Sequence, residues 1–344
     1  MALRWIEGFE GFGALTGASL ITEVGKKYDA SSMSASTLQT GRGGGSALNI
    51  GVTQAHYIAK LFDNQETWII GFAFHTPPSF SGTGRTMIQL LDGGVAGTLQ
   101  MDLRLIDDKL AITRNGTLLD TTASIFSTST WYYIEFKVKI NVTTGTYEMR
   151  VNGNAVGTPG SGANTDNTTT GVADAVRIYN TESTPWYDDI YILDGTGGEN
   201  DDFLGEMKVE ILLPTSDSIS ADWSLSTGAD HYALVDENPS DEDTTYVYST
   251  VSAEVDLYNY DDIGSAFQTI YGVQINTQAK VSSAASIDMY VPVSSGSTVS
   301  NGTAVTVSDT NYKTFGRAIG LDPDTGALWL SGAIDAALFG VRIV

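Results

Sequence analysis

The side chains that could do chemistry here are few: three histidines, no cysteine, and carboxylates set singly or in short clusters. His56, His75 and His231 have no second His, Asp or Glu at metal-ligand spacing, and no G-x-S-x-G occurs. A hydrolytic triad is therefore unsupported, and each histidine reads as a surface or loop residue. The lack of cysteine removes disulfides and thiol-based zinc or redox chemistry. Glycoside cleavage needs two carboxylates facing each other across a cleft. Glu135 and Glu148 stand alone among Lys, Arg and Thr, as exposed charges on a wet sheet face would.

Two acidic clusters remain. Asp188 and Asp189 are adjacent inside the apolar run WYDDIYIL, where successive strand side chains point to opposite faces, so one of the two must turn inward or toward a loop. A carboxylate buried there needs a cation or hydrogen-bond donors. A calcium ion held by Asp189 with backbone carbonyls of the Glu7 to Glu10 segment, Glu7 and Glu10 included, is one solution; a plainly hydrogen-bonded carboxylate is the other. The loop DENPSDED at 236–243 is dense in oxygen ligands but lacks the EF-hand order and its glycine, and reads as a solvated turn.

The elements that must position these residues are strands. In WYYIEFKVKINVTTGTYEMRVNG at 131–153, Tyr132, Ile134, Phe136, Val138 and Ile140 alternate with Tyr133, Glu135, Lys137 and Lys139, a strand with one buried and one wet face. A turn at 141–146 leads to a second strand that stops at Asn152-Gly153. WIIGFAF at 68–74 reads as a central core strand, and further strands follow at 86–91, 99–105, 109–114, 176–179 and 186–193. The residues from 153 to 171 read as a Gly, Thr and Asn-rich loop, and GRGGG at 41–45 as a hairpin or bulge, since Walker spacing is missing. No stretch of this half sustains a helical apolar period for three turns. DGTGGENDD at 194–202 is the candidate linker, and a second set of strands is expected at 207–212, 232–235, 245–251, 254–258, 270–277, 286–291, 305–307 and 337–344. The expected fold is all-β, two antiparallel β-sandwich (jelly-roll) domains in tandem, over 1–198 and 199–344.

The net charge of −23 at pH 7 repels nucleic acid and anionic lipid. The N-terminal segment has no apolar stretch of signal-peptide type and no run has the length of a membrane span, so a protein made in the cytoplasm without a signal peptide or membrane insertion is expected.

The first half resembles the concanavalin A-like, laminin-G-like jelly rolls through LLDGG (90–94), KLAITRNGT (109–117), WYYIEFKVKI (131–140), YEMRVNG (147–153) and YDDIYILDG (187–195). The second half resembles a domain that recurs in tailed-bacteriophage structural proteins, through NDDFLGEMKVEILLPTSD (200–217), HYALVDENPSDEDTTYV (231–247), VDLYNYDDI (255–263) and the ending DPDTGALWLSGAIDAALFGVRIV. The resemblance implies a non-enzymatic virion surface protein: a capsid decoration or short head fibre in contact with other virion proteins. The alternative is a tail or baseplate receptor-binding protein whose lectin-like sandwich binds host glycan; a polysaccharide-degrading enzyme ranks third. It implies no required cofactor, calcium at the position of Asp189, and use in symmetric copies, a trimer for instance.

Overall fold

The computed structural model describes residues 2–80, 84–181, 185–263, 269–283 and 285–344. The chain is all-β in two compact units, Met1–Val209 and Glu210–Val344. The division falls beyond residue 198, because the polar segment read as a linker stays on the first unit's surface.

Two antiparallel sheets make the first unit. One runs in the order Asn154–Ala163, Gly145–Val151, Trp131–Lys139, Thr67–His75, Trp186–Asp194, Ser46–Asn49, Thr37–Thr40, with Leu3–Glu7 added to Trp186–Asp194. The other runs Thr117–Thr121, Lys109–Arg114, Thr98–Ile106, Arg85–Asp92, Ala173–Tyr179, Tyr57–Gln65, Ala30–Ser32. Thr67–His75 is central, paired with Trp131–Lys139 on one side and Trp186–Asp194 on the other, as its continuous apolar run requires. Trp68, Ile70, Phe72, Ile134, Phe136 and Val138 from one sheet and Met101, Leu103, Ile112 and Val176 from the other share a single core. The first strand pins the N-terminal segment to the larger sheet, and GRGGG closes the hairpin of Thr37–Thr40 and Ser46–Asn49.

Three local expectations change. Asn154–Ala163 is a strand, paired with Gly145–Val151 as the sheet edge, although its composition reads as loop; an edge strand needs little side-chain burial. Gly17–Lys27 is an α-helix. Its buried positions Leu20, Glu23, Val24 and Lys27 follow the i, i+3, i+4, i+7 rule, but two are charged, so the apolar period is masked. Lys27 is buried because its Nζ lies 2.8 Å from Glu7 Oε2 and faces the rings of Trp5 and Phe12 at 5.7 and 5.5 Å. In the third, the face of Trp131–Lys139 expected to be wet is roofed: Tyr133 and Glu135 are as buried as their apolar neighbours.

The second unit has a seven-stranded sheet. Pro214–Ala221, Val255–Tyr260, Leu338–Ile343, Ile287–Tyr290 and Val305–Val307 lie in that order, with Val293–Ser295 also on Leu338–Ile343 and Thr298–Ser300 beyond it. Its second layer is a two-stranded ribbon, Val273–Ala279 with Lys313–Ile319, whose Ile275 and Ile319 share a core with Met289, Trp329, Phe339 and Val341. Residues 207–213 are not a strand, and Tyr232–Leu234 is a 3-10 turn. Among the described residues no helix is long and apolar enough to cross a membrane, which says nothing about a β-barrel.

Candidate functional site

The adjacent aspartates sit on a bulge. The register of Trp186–Asp194 against Thr67–His75 shifts between Asp188 and Tyr191, and Asp189 has φ of 49°. The extra residue breaks strict alternation. Both carboxylates therefore reach Arg42: Asp188 Oδ2 accepts from the Arg42 backbone N–H at 2.8 Å, and Asp189 Oδ2 lies 3.4 Å from its Nε. Both aspartates are almost fully buried. The glycines of GRGGG make room for this approach. A Cβ at Gly41 would stand 2.2 Å from Asp188 Oδ2, and one at Gly45 would stand 2.3 Å from Glu10 Oε1.

Arg42 also ties down the segment that follows. Its guanidinium donates to Glu206 Oε2 at 2.9 Å and to the Met207 carbonyl, and stacks 5.0 Å from the centre of the Tyr133 ring. Val209 N–H donates to Asp189 Oδ1 at 2.8 Å. Further along the same strap, Gly205 N–H donates to Glu135 Oε1 at 2.8 Å, Leu204 N–H to the Tyr191 hydroxyl at 3.3 Å, and Lys137 Nζ to Asp202 at 3.0 Å. Arg150 lies 4.2 Å over the Phe203 ring. Tyr191 in turn donates to Glu135 Oε1 at 2.6 Å. Side chains of the sheet thus satisfy the strap's backbone donors, which is why Glu135 is buried instead of wet.

The three residues expected around calcium occupy different surroundings. Asp189 spends its oxygens on Arg42 and Val209. Glu7 binds Lys27, accepts from Tyr28 Oη at 3.1 Å and from Phe9 N–H at 3.0 Å. Glu10 accepts from Ser46 N–H at 3.3 Å. Among the described residues no group of three or more His, Asp or Glu side chains is placed to hold a metal ion, and a guanidinium stands where Asp189 would need a cation. This donor set does not fit calcium. The expected result of adding calcium or EDTA is an unchanged melting curve of the first unit, read by differential scanning calorimetry; a calcium-dependent rise would show that Arg42 gives way to the ion.

Burial also sets the acidity of this cluster. Desolvation, and next the Asp189 charge, push Asp188 up from 3.8 to about 7. Desolvation, with smaller contributions from Asp188 and Glu7, pushes Glu10 up from 4.5 to about 8. A carboxyl whose folded pKa is raised contributes stability that is complete below its unfolded pKa and is lost as pH climbs through the folded one. The first unit is therefore expected to lose stability progressively from about pH 4 to about pH 8 through these two groups. Denaturant titrations at stepped pH check this, with Glu10→Gln flattening the upper part of the slope.

On the smaller sheet a row of polar side chains lies outside the core, buried at Thr113 and Asp102 and half-buried at Gln89 and Arg177. Thr113, Asp102, Gln89 and Arg177 fall in register across four strands, on the face away from Met101 and Leu103. Asp102 accepts from the Thr113 hydroxyl and lies 3.8 Å from Arg104 Nε. Tyr57 and Tyr179 pair directly across neighbouring strands with ring centroids 5.5 Å apart, and the Arg177 guanidinium lies 4.4 Å from the Tyr57 ring centre while donating to Tyr179 Oη at 2.7 Å. These half-buried rings and planar donors form a platform that a sugar ring can stack on.

In the second unit His231 stands in a bend, as a loop histidine would, but its ring is tied down. Its Nδ1 lies 2.7 Å from Oδ2 of the fully buried Asp256, which also accepts from Trp223 N–H at 2.8 Å and Tyr258 Oη at 3.1 Å. Asp217 accepts from the backbone N–H of His231 and Tyr232 at 2.9 and 2.6 Å. The partners of this network are far apart in sequence, so spacing gives no sign of it.

No protein-family model matches the chain, and no curated protein does. Among solved structures, domain 4 of a GH43 extracellular arabinanase from Geobacillus stearothermophilus, in complex with arabinotriose, has TM-score 0.36 and 13% identity, covering 56% of this chain and 93% of that one. A carbohydrate esterase of the Shiga toxin-encoding bacteriophage phi24B has TM-score 0.34 and 13% identity over 48% of this chain and 89% of its own. A protein of unknown function from Shewanella oneidensis has TM-score 0.33 and 16% identity, covering 48% and 77%. Likenesses of this size carry no argument about what the chain binds or does.

Proposed function

We propose that the chain is a surface protein of a tailed-phage particle that works by binding and not by catalysis, as a capsid decoration or short head fibre used in symmetric copies. The observation that carries the non-catalytic part is the engagement of the buried acids. A glycosidase needs two carboxylates about 5–10 Å apart facing an open cleft. Here Asp188 and Asp189 are held by Arg42, Glu7 by Lys27, Glu135 by Tyr191 and the strap, and Asp256 by three donors. Acids so engaged hold a structure together. The phage assignment is supported by the sequence blocks quoted above. Imaging of intact particles with a tag on the C-terminal strand tests it: label over the shell is the expected result, and particles free of the protein would overturn it.

A second reading, a tail or baseplate module that recognises host glycan, is favoured by one feature, the Tyr57–Tyr179–Arg177 platform. Label confined to the tail tip would select it. On a glycan array, Tyr57→Ala and Arg177→Ala are then each expected to weaken binding about tenfold, as loss of a stacking anchor does.

A further inference from the structure

The second unit carries 18 acidic and 4 basic side chains, a balance of −14, against 23 and 14, or −9, for the first. On this acidic body an apolar ridge built around two tyrosines is left in water. Tyr246, Tyr248, Val251 and Val344 are 39, 52, 55 and 46% exposed, and the two tyrosine rings lie 6.0 Å apart. The ridge is held in place. Leu225 and Ser224 pair with Val247 and Tyr248, and the Tyr246 backbone exchanges hydrogen bonds with Ser226. Ser249 Oγ donates to Glu254 at 2.5 Å and accepts from Val251 N–H, while Ser252 Oγ donates to the Val344 carbonyl at 2.9 Å. Single exposed apolar residues are ordinary on a protein surface, whereas a fixed pair of aromatic rings with exposed apolar residues in the same segment marks a contact site.

Its rim is acidic. Glu237 and Asp241 lie 2.8 and 2.9 Å from the Thr245 hydroxyl, and Glu254 accepts from Ser249. Among the described residues none of these three is paired with a cation. Lys280, the cation nearby, is held by Asp243 and lies 4.5 Å over the Tyr312 ring. An isologous contact between two copies would set acidic rim against acidic rim in a −14 field, which costs association. We propose that the Tyr246–Tyr248–Val251 ridge docks on a different protein, one whose surface offers an apolar pocket ringed by Lys or Arg. This interface is independent of the platform on the first unit and of where on a particle the chain resides.

The test uses the full chain in the cells that produce it, with the photo-crosslinker p-benzoylphenylalanine in place of Tyr248 and, as control, in place of Leu118, an equally exposed residue of the first unit. The expected product joins residue 248 to a Lys/Arg-rich segment of another polypeptide, identified by sequencing the joined peptide. Yield should fall about fivefold in the Glu237→Gln/Asp241→Asn double variant, which keeps acceptors for Thr245 and removes the charge, and in lysate raised to about 0.5 M salt before irradiation. A product joined to a second copy, a yield no higher than from residue 118, or a yield indifferent to charge removal would each overturn the proposal. Particle imaging fails or succeeds separately, so the two outcomes do not confound each other.

Discussion

Replacing Arg42 with alanine is expected to lower the melting temperature of the first unit by about 10 °C, with the second unit's transition unchanged. The guanidinium pairs with the almost fully buried Asp189, its charge bears on the equally buried Asp188, and it ties down Glu206 and the Met207 carbonyl. Removing one member of a buried pair leaves uncompensated charge and costs about 3–5 kcal/mol. For a unit of this size each kcal/mol moves the midpoint by about 2–4 °C. Asp188 keeps its bond to the Arg42 backbone N–H in the variant, which holds the loss toward the lower part of that range. Glu206→Gln is the control: Glu206 is largely exposed, so its pair with Arg42 is worth less than about 1 kcal/mol and the melting curve should barely move. Hydrogen exchange adds a local readout. The amides of Gly205 and Val209 should lose protection in Arg42→Ala well before those of Phe72 and Phe136 in the core, because the strap is held by side chains and not by a strand ladder. Equal loss at both places would mean that the strap and the sandwich unfold as one.

Asp256→Ala should have a comparable effect on the second unit alone. Asp256 is fully buried, and its two oxygens receive Trp223 N–H, Tyr258 Oη and His231 Nδ1. Truncation strands three donors at once. Each buried donor left without a partner costs about 1–3 kcal/mol, so a loss of about 4 kcal/mol is expected in chemical denaturation. Asp256→Asn keeps one acceptor oxygen but points an amide at two of the donors, and should recover only part of this. His231→Phe, which removes a single partner while keeping ring volume, should cost less than either, and a deficit as large as that of Asp256→Ala would mean that the histidine, and not the aspartate, organises the network.

The fold class was legible because strand periodicity is a local property. Tyr132 to Ile140 alternate, Asn115-Gly116 and Asn152-Gly153 turn the chain, and WIIGFAF has the composition of a strand covered on both sides. What local pattern could not carry were the places where charge is buried. Glu23 and Lys27 hide a helix because two of the four buried positions on its inner face are ionic, and Lys27 is accepted there only because Glu7, distant in sequence, meets it. Glu135 looks like a solvated residue until residues 202–209 fold back over it. Asp188 and Asp189 suggest a cation, and there is one, but it is Arg42, brought up by a glycine-rich hairpin whose glycines read only as a turn.

By itself the sequence determined the antiparallel all-β architecture, the central position of Thr67–His75, the strongly acidic character and the freedom from cysteine chemistry, since each follows from neighbouring residues or from composition. Only the tertiary structure decided which acids are exposed, which cation or hydrogen-bond donor answers each buried carboxylate, and which aromatic rings, Tyr57 and Tyr179 on one unit and Tyr246 and Tyr248 on the other, are left at the surface. The reason is physical. Burying a charge is tolerable only with a partner, and a partner can come from anywhere in the chain, so the decision rests with contacts that no window of sequence contains.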